Sequence, residues 1–355
     1  MNRRFLSATA LAALFLSACD DAGVEPIPDT TRPGVFVLGQ KYGNNGGSSL
    51  EKIQDGGIVD ATPAAGMPSH SNTRIDMAAG TLFLFDGNRG TATGFAGGDV
   101  RKPVLDENMG SSSNPYSVAK VGDHHWFALY GSAKLRGVSA TGGAAREIDL
   151  SKYNEKTASV PYSMGVAAWN GKLVAVLQRL DKDYQPADSS LVLVIDASSG
   201  SVDKRVALPF RNPYDIDLRG DRLAAGCTGG WGSNTDGGLA IVDLASGNVT
   251  KSVKSSDIGG DPASVAFVSD DRVWVGADMG YPVSRAVPVD LPAGKVGTAY
   301  AGADAVLDLA WDGTSLWIAN HDDKAPHVHE IDASTGSRKN RYATRLAPGF
   351  LKVVK

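Results

Sequence analysis

A chain of 355 residues with 42 glycines, 17 prolines and 21% charged residues has the profile of many short strands joined by turns. Nothing in its body suggests a coiled coil, a long helix or a low-complexity segment, and its net charge of −4 supplies no basic stripe for nucleic acid.

The first element is the stretch MNRRFLSATALAALFLSAC. Arg3 and Arg4 precede an apolar run from Phe5 to Leu16, which is too short for a bilayer span of about 20 apolar residues and fits a cleaved export signal. The sequence Leu16-Ser17-Ala18-Cys19 resembles the bacterial lipobox, and that resemblance implies cleavage before Cys19 and a thioether-linked lipid on it. Losing residues 1–18 leaves 33 basic residues against 39 acidic ones, a net charge of −6. With Cys19 lipidated, Cys227 has no partner for a disulfide within the chain and is expected as a small buried hydrophobe. The acidic, Pro-bearing segment from Asp20 to Arg32 reads as a tether. The expected organisation is a signal peptide over 1–18, lipidated Cys19 and a tether over 19–33, and one folded unit over 34–355. The location that follows is the periplasmic or cell-surface side of a bacterial membrane.

From Val35 the chain repeats. Strand openings align at Thr73, Tyr116, Tyr162, Tyr214, Ala263 and Ala305, at intervals of about 42 to 52 residues, the period of a four-stranded propeller blade. Second strands follow tight turns (TLFLF, HWFAL, KLVAVLQ, RLAAGC, RVWVGA, SLWIAN), and third strands such as LVLVID and LAIVDL lead into turns at Gly200 and Gly247. The N-terminal strands GVFVLGQ, SLEKIQ and GGIVDAT lack a first strand, and GFLKVV at the C-terminus lacks the other three. Joined, they complete a blade. The expected fold is an all-β, seven-bladed β-propeller of four-stranded blades, its ring closed by the C-terminal strand joining the N-terminal blade, which removes exposed edges. The segments DPASVAFVSDDRVWVGA and SLWIANHDDKAPHVHEIDASTGS resemble the YVTN/YncE-like propeller repeat, over roughly Gly34 to Lys355. That resemblance implies architecture more than activity.

Alternation along the first strands places Ile75, Val118, Met164, Ile216, Val265, Leu307 and Leu351 between blades. One inward layer is then Arg74, Ser117, Ser163, Asp215, Ser264, Val306 and Phe350. The next is Asp76, Ala119, Gly165, Asp217, Ala266, Asp308 and Lys352. Small residues mixed with charges suit a wet channel. Asp76, Asp217 and Asp308 could serve a hard cation as oxygen ligands, but Lys352, Arg74 and Asp215 beside them favour a hydrated ion-pair network without metal. His327 and His329, with His321 nearby, read as surface histidines.

Second-to-third connections such as QRLDKDYQPADSS and TGGWGSNTDGG are long and dissimilar, whereas the opposite turns are short. The looped face carries Tyr42, Tyr130, Tyr184, and the candidate binding residues Trp231, Tyr281, His321, Tyr116, Tyr162 and Tyr214, with Arg74 and Asp215 beneath. No GxSxG elbow, HExxH or phosphate loop is present, and no catalytic residue is assigned. The reading is a monomeric, lipid-anchored extracytoplasmic propeller that binds a small molecule or a protein partner on that face, needs no cofactor and performs no chemistry. The alternatives are a lactonase-like hydrolase or lyase using channel-mouth acids, or corrinoid capture for an outer-membrane transporter. A concave pocket over the channel would favour a small ligand, and a broad flat surface a protein.

Overall fold

The computed structural model describes residues 29–41, 46–70, 72–230, 236–280 and 282–354. Trp231, Tyr281, Tyr42 and Cys19 lie outside the described residues. Seven antiparallel sheets of four strands form the ring. We number the blades from the composite one. Blade 1 combines Pro348–Val354 as inner strand with Gly34–Lys41, Gly47–Gln54 and Gly57–Asp60. The inner strands of blades 2 to 7 are Thr73–Ala78, Pro115–Val121, Ser163–Trp169, Pro213–Arg219, Asp261–Ser269 and Val306–Trp311. The expected clasp is present, with Val35 paired to Val353 and Val37 to Leu351.

The core lies between blades because each second strand is apolar on both faces. Leu82 to Phe85, Leu173 to Leu177 and Val273 to Val275 are all buried, as expected of a strand covered on two sides. Two-residue reversals such as Asn170-Gly171 join first to second strands, with Asn170 at φ 46° and Gly171 at φ 75°, the left-handed pair a tight hairpin requires. Cys227 is fully buried, and burial pushes its thiol pKa up. His327 and His329 are also buried, against the surface placement expected from sequence. His329 Nδ1 lies 2.8 Å from Tyr300 Oη, and burial pushes the imidazole down to about 3.

Residues 29–33 do not hang free of the ring. Thr30 is buried, donates to Gly98 O at 2.6 Å and accepts from Val100 N at 3.2 Å. Lys52 Nζ, itself buried, donates to Thr30 O at 2.6 Å and to Arg32 O. Burial pushes Lys52 down to about 8. These contacts sit at the outer turns of blades 1 and 2, on the face of the short reversals and opposite the long loops.

Candidate functional site at the channel mouth

Strand pairing revises the inward layers. In blades 3 to 7 the inner strand carries a bulge near its start: Ser117 pairs with Ala128, Gly165 with Val176, Asp215 with Gly226, Ser264 with Gly276 and Asp308 with Ala319. The upper layer is therefore Arg74, Ser117, Gly165, Asp215, Ser264, Asp308 and Phe350. The lower one is Asp76, Ala119, Ala167, Asp217, Ala266, Ala310 and Lys352. Val166 and Leu309, not Met164 and Leu307, take the interblade positions in blades 4 and 7. Likewise Tyr162 occupies the place of Asn114 and Asn212, not that of Tyr116 and Tyr214; all three have positive φ, and Gln178 N donates to Tyr162 O as Thr228 N does to Asn212 O. A two-residue slip preserves alternation, so the apolar pattern could not expose it.

The bulges have a chemical result. A bulge leaves one residue unpaired and re-aims its side chain, and here those residues are Tyr116, Met164, Tyr214, Ala263 and Leu307, with Gly349 in blade 1. All six line the looped end of one cavity of about 830 Å³, which follows the channel down to Ala79, Lys120 and Ala168 near the short turns. Blade 2 has no such bulge, since Thr73 and Arg74 pair in sequence with Asp86 and Phe85. Its contribution is Arg74. The Arg74 guanidinium lies 3.4 Å from the centre of the Tyr116 ring and 4.8 Å from that of Phe350, and it donates to Tyr116 Oη. From Tyr116 the rings continue outward through Tyr130 at 4.8 Å, Tyr162 at 5.2 Å and Tyr184 at 5.5 Å, measured between successive centroids. Tyr184 and Tyr214 are exposed, at 58% and 41%.

Below the rim, the acids join neighbouring blades. Asp215 Oδ2 accepts from Val265 N at 2.8 Å, Asp217 Oδ2 from Phe267 N at 2.7 Å, and Asp308 Oδ2 from Leu351 N at 2.7 Å. Asp76 Oδ2 accepts from Val118 N and the Ser117 hydroxyl, both at 2.9 Å, while its Oδ1 lies 3.3 Å from Lys352 Nζ. Ser264 Oγ lies 3.2 Å from Asp215 Oδ2 and 3.0 Å from Asp308 Oδ1, and accepts from Leu309 N at 2.9 Å. At the junction of blades 4 and 5 the same position is Gly165, where a Cβ would fall 2.8 Å from Ile216 Cδ1, so close packing replaces the polar latch.

Burial, then repulsion from Asp308, pushes Asp215 up to about 7; burial likewise raises Asp308 and Asp217. Burial opposes the charge on Lys352, but Asp76, Asp308 and Asp215 outweigh it and raise that pKa. Asp308 thus belongs with Asp215, not in one ring with Asp76 and Asp217, and among the described residues no group of three His, Cys, Asp or Glu is arranged to hold a metal.

His321 is buried in the wall of blade 7, where its Nδ1 lies 3.2 Å from Pro348 O of the clasp. The site therefore assembles Arg74, Tyr116, Tyr214 and Asp215 from the residues expected, places Tyr162 one ring further out, and sets His321 apart. Sequence reasoning did not assign Phe350, Met164 or Leu307 to the site. Phe350 could have been found, because it shares a layer with Arg74.

No family model matches the chain, and no curated protein matches it. Solved structures do. The chain is similar to Kuenenia stuttgartiensis hydrazine synthase, with a TM-score of 0.56 and 15% identity over 74% of this chain and 77% of that one. It is similar to the computationally designed Ika8 protein, with a TM-score of 0.59 and 12% identity over 88% and 89%. Apo AztD from Citrobacter koseri gives a TM-score of 0.56 and 10% identity over 91% and 98%. At such identities the likeness is one of fold.

Proposed function

We propose that this protein is a lipid-anchored, extracytoplasmic propeller of the YVTN/YncE-like type that binds a small molecule at the looped mouth of its channel and does not transform it. The observation that carries the reading is the concave channel cavity of about 830 Å³, collared at its looped end by Tyr116, Met164, Tyr214 and Leu307. Concavity with a few convergent polar groups suits a small ligand better than a flat protein surface. A hydrolase or lyase is the second reading, favoured by the raised pKa of Asp215. Against it, Asp215 Oδ1 accepts from Ile216 N and Oδ2 from Val265 N, while Asp308 is held in the same way by Leu309 N and Leu351 N. Such carboxylates are bound into the frame, whereas a general base must face its substrate.

Protein extracted with detergent from its native membrane should release a small molecule on denaturation, detectable by mass spectrometry, and Tyr214→Ala should reduce its occupancy without lowering the Tm. An empty wild-type protein that hydrolyses lactone or ester substrates would overturn the reading.

A further inference from the structure

The mouth cavity has a chemical polarity, and Arg74 sets it. Among the described residues no carboxylate forms an ion pair with Arg74, whereas other charged groups of the ring are matched. Lys352 faces Asp76, Arg219 and Arg222 meet Asp270, and Arg211 meets Asp236. The carboxylates nearest the mouth are engaged elsewhere: Asp76 by Lys352, Ser117 and the Val118 amide, and Asp215 and Asp308 by Ser264 and backbone amides.

Arg74 is half-buried, its guanidinium carbon lies over the rings of Tyr116 and Phe350, and one terminal nitrogen donates to Tyr116 Oη. The guanidinium has five donors in one plane, and those not used by Tyr116 Oη let a planar oxyanion meet two at once. Holding it beforehand also removes much of the rotamer entropy that a free arginine would lose on binding. Around it the bulge residues form an apolar rim, with large side chains at Tyr116, Met164, Tyr214 and Leu307 and small ones at Ala263 and Gly349. A charged socket inside an apolar collar selects for a molecule with both properties.

We infer that the ligand is a small anion with a planar apolar body, a carboxylate attached to a ring being the simplest case, whose oxyanion pairs with Arg74 while the ring packs against Tyr116, Tyr214 and Met164. This rests on the small-molecule reading above and adds the charge and shape of the ligand.

The probes are benzoate, its neutral amide benzamide and the cation benzylamine, titrated into the intact mature protein and followed by methionine-methyl NMR, with the Met164 signal assigned through Met164→Leu. Benzoate should shift the Met164 methyl saturably, and benzamide should bind at least tenfold more weakly. Arg74→Gln should weaken benzoate at least tenfold at an unchanged Tm, and Arg74→Lys, which keeps the charge but loses the planar fork, should fall between. Benzamide or benzylamine binding as well as benzoate, or Arg74→Gln binding benzoate like the parent, would overturn the anion assignment while leaving the cavity a ligand site. If none of the three probes moves the Met164 methyl, the anion assignment and the mouth-binding reading both fail.

Discussion

Ser264 has one hydroxyl proton and two carboxylates within reach, and because it already accepts from Leu309 N it can donate to only one of them. The remaining close contact is relieved if the Asp215 and Asp308 pair holds a proton of its own, in keeping with the raised pKa of both acids. The sign of the resulting pH dependence follows by linkage. Between pH 7 and about 4 the folded protein binds a proton at Asp215 that the unfolded chain does not, so this group adds stability as the pH falls through that range. His329 acts in the opposite sense: with a folded pKa of about 3, it stays neutral while the unfolded imidazole protonates below about 6.5, and stability is lost on acidification. The two contributions offset one another in the wild type. Asp215→Asn should therefore lose Tm more steeply than the parent between pH 7 and 4, as measured by thermal melts in matched buffers. Parallel curves for the two proteins would show that Asp215 is ionised throughout.

At the scale of the element, the inner strands show what sequence could and could not disclose. Blade count, strand order and the shared blade were legible, because apolar second strands, glycine turns and unmatched strands at the two ends are all local or additive signals. The position of the inner-strand bulge was not. Met164 and Leu307 satisfy the same alternation as Val166 and Leu309, and only the ladder partners Val176 and Ala319 distinguish them. For the same reason the sequence pattern groups Tyr162 with Tyr116 and Tyr214 and does not disclose the collar formed by the bulges. Trp231 and Tyr281 remain assignments from sequence. The clasp, by contrast, yields a firm expectation: deleting residues 348–354 strips the inner strand from blade 1, unpairs Val35 and Val37, and removes the Leu351 amide from Asp308. An open edge of that length invites association. The truncated protein should aggregate or lose its cooperative melt, read by light scattering during a thermal ramp; a monomeric protein melting like the parent would contradict the closure.

At the scale of the whole molecule, residues 29–33 and the end of the clasp meet on the face of the short turns, while the mouth opens on the other. If lipid on Cys19 holds the chain, the scaffold face looks toward the membrane and the mouth looks away from it. Single cysteines at Tyr184 on the looped side and at Asn170 on the turn side, each introduced with Cys227→Ala, provide the test. In membranes carrying the anchored protein, a bulky maleimide should modify the cysteine at 184 faster than that at 170, and the difference should vanish after detergent extraction. Equal rates in the membrane would sink the orientation.

The composite blade also governs when this molecule becomes itself. Gly34 pairs with Val354, so the first strand of the folded unit to leave the ribosome pairs with the last. Contacts between such distant parts of a chain form slowly, and this one cannot form until residues 348–354 have been made. Six blades assembled early would still form an open arc. Ring closure is therefore a natural last step, and in refolding experiments amide protection of Val35 and Val37 should lag behind that of Val174 and Val176 in blade 4.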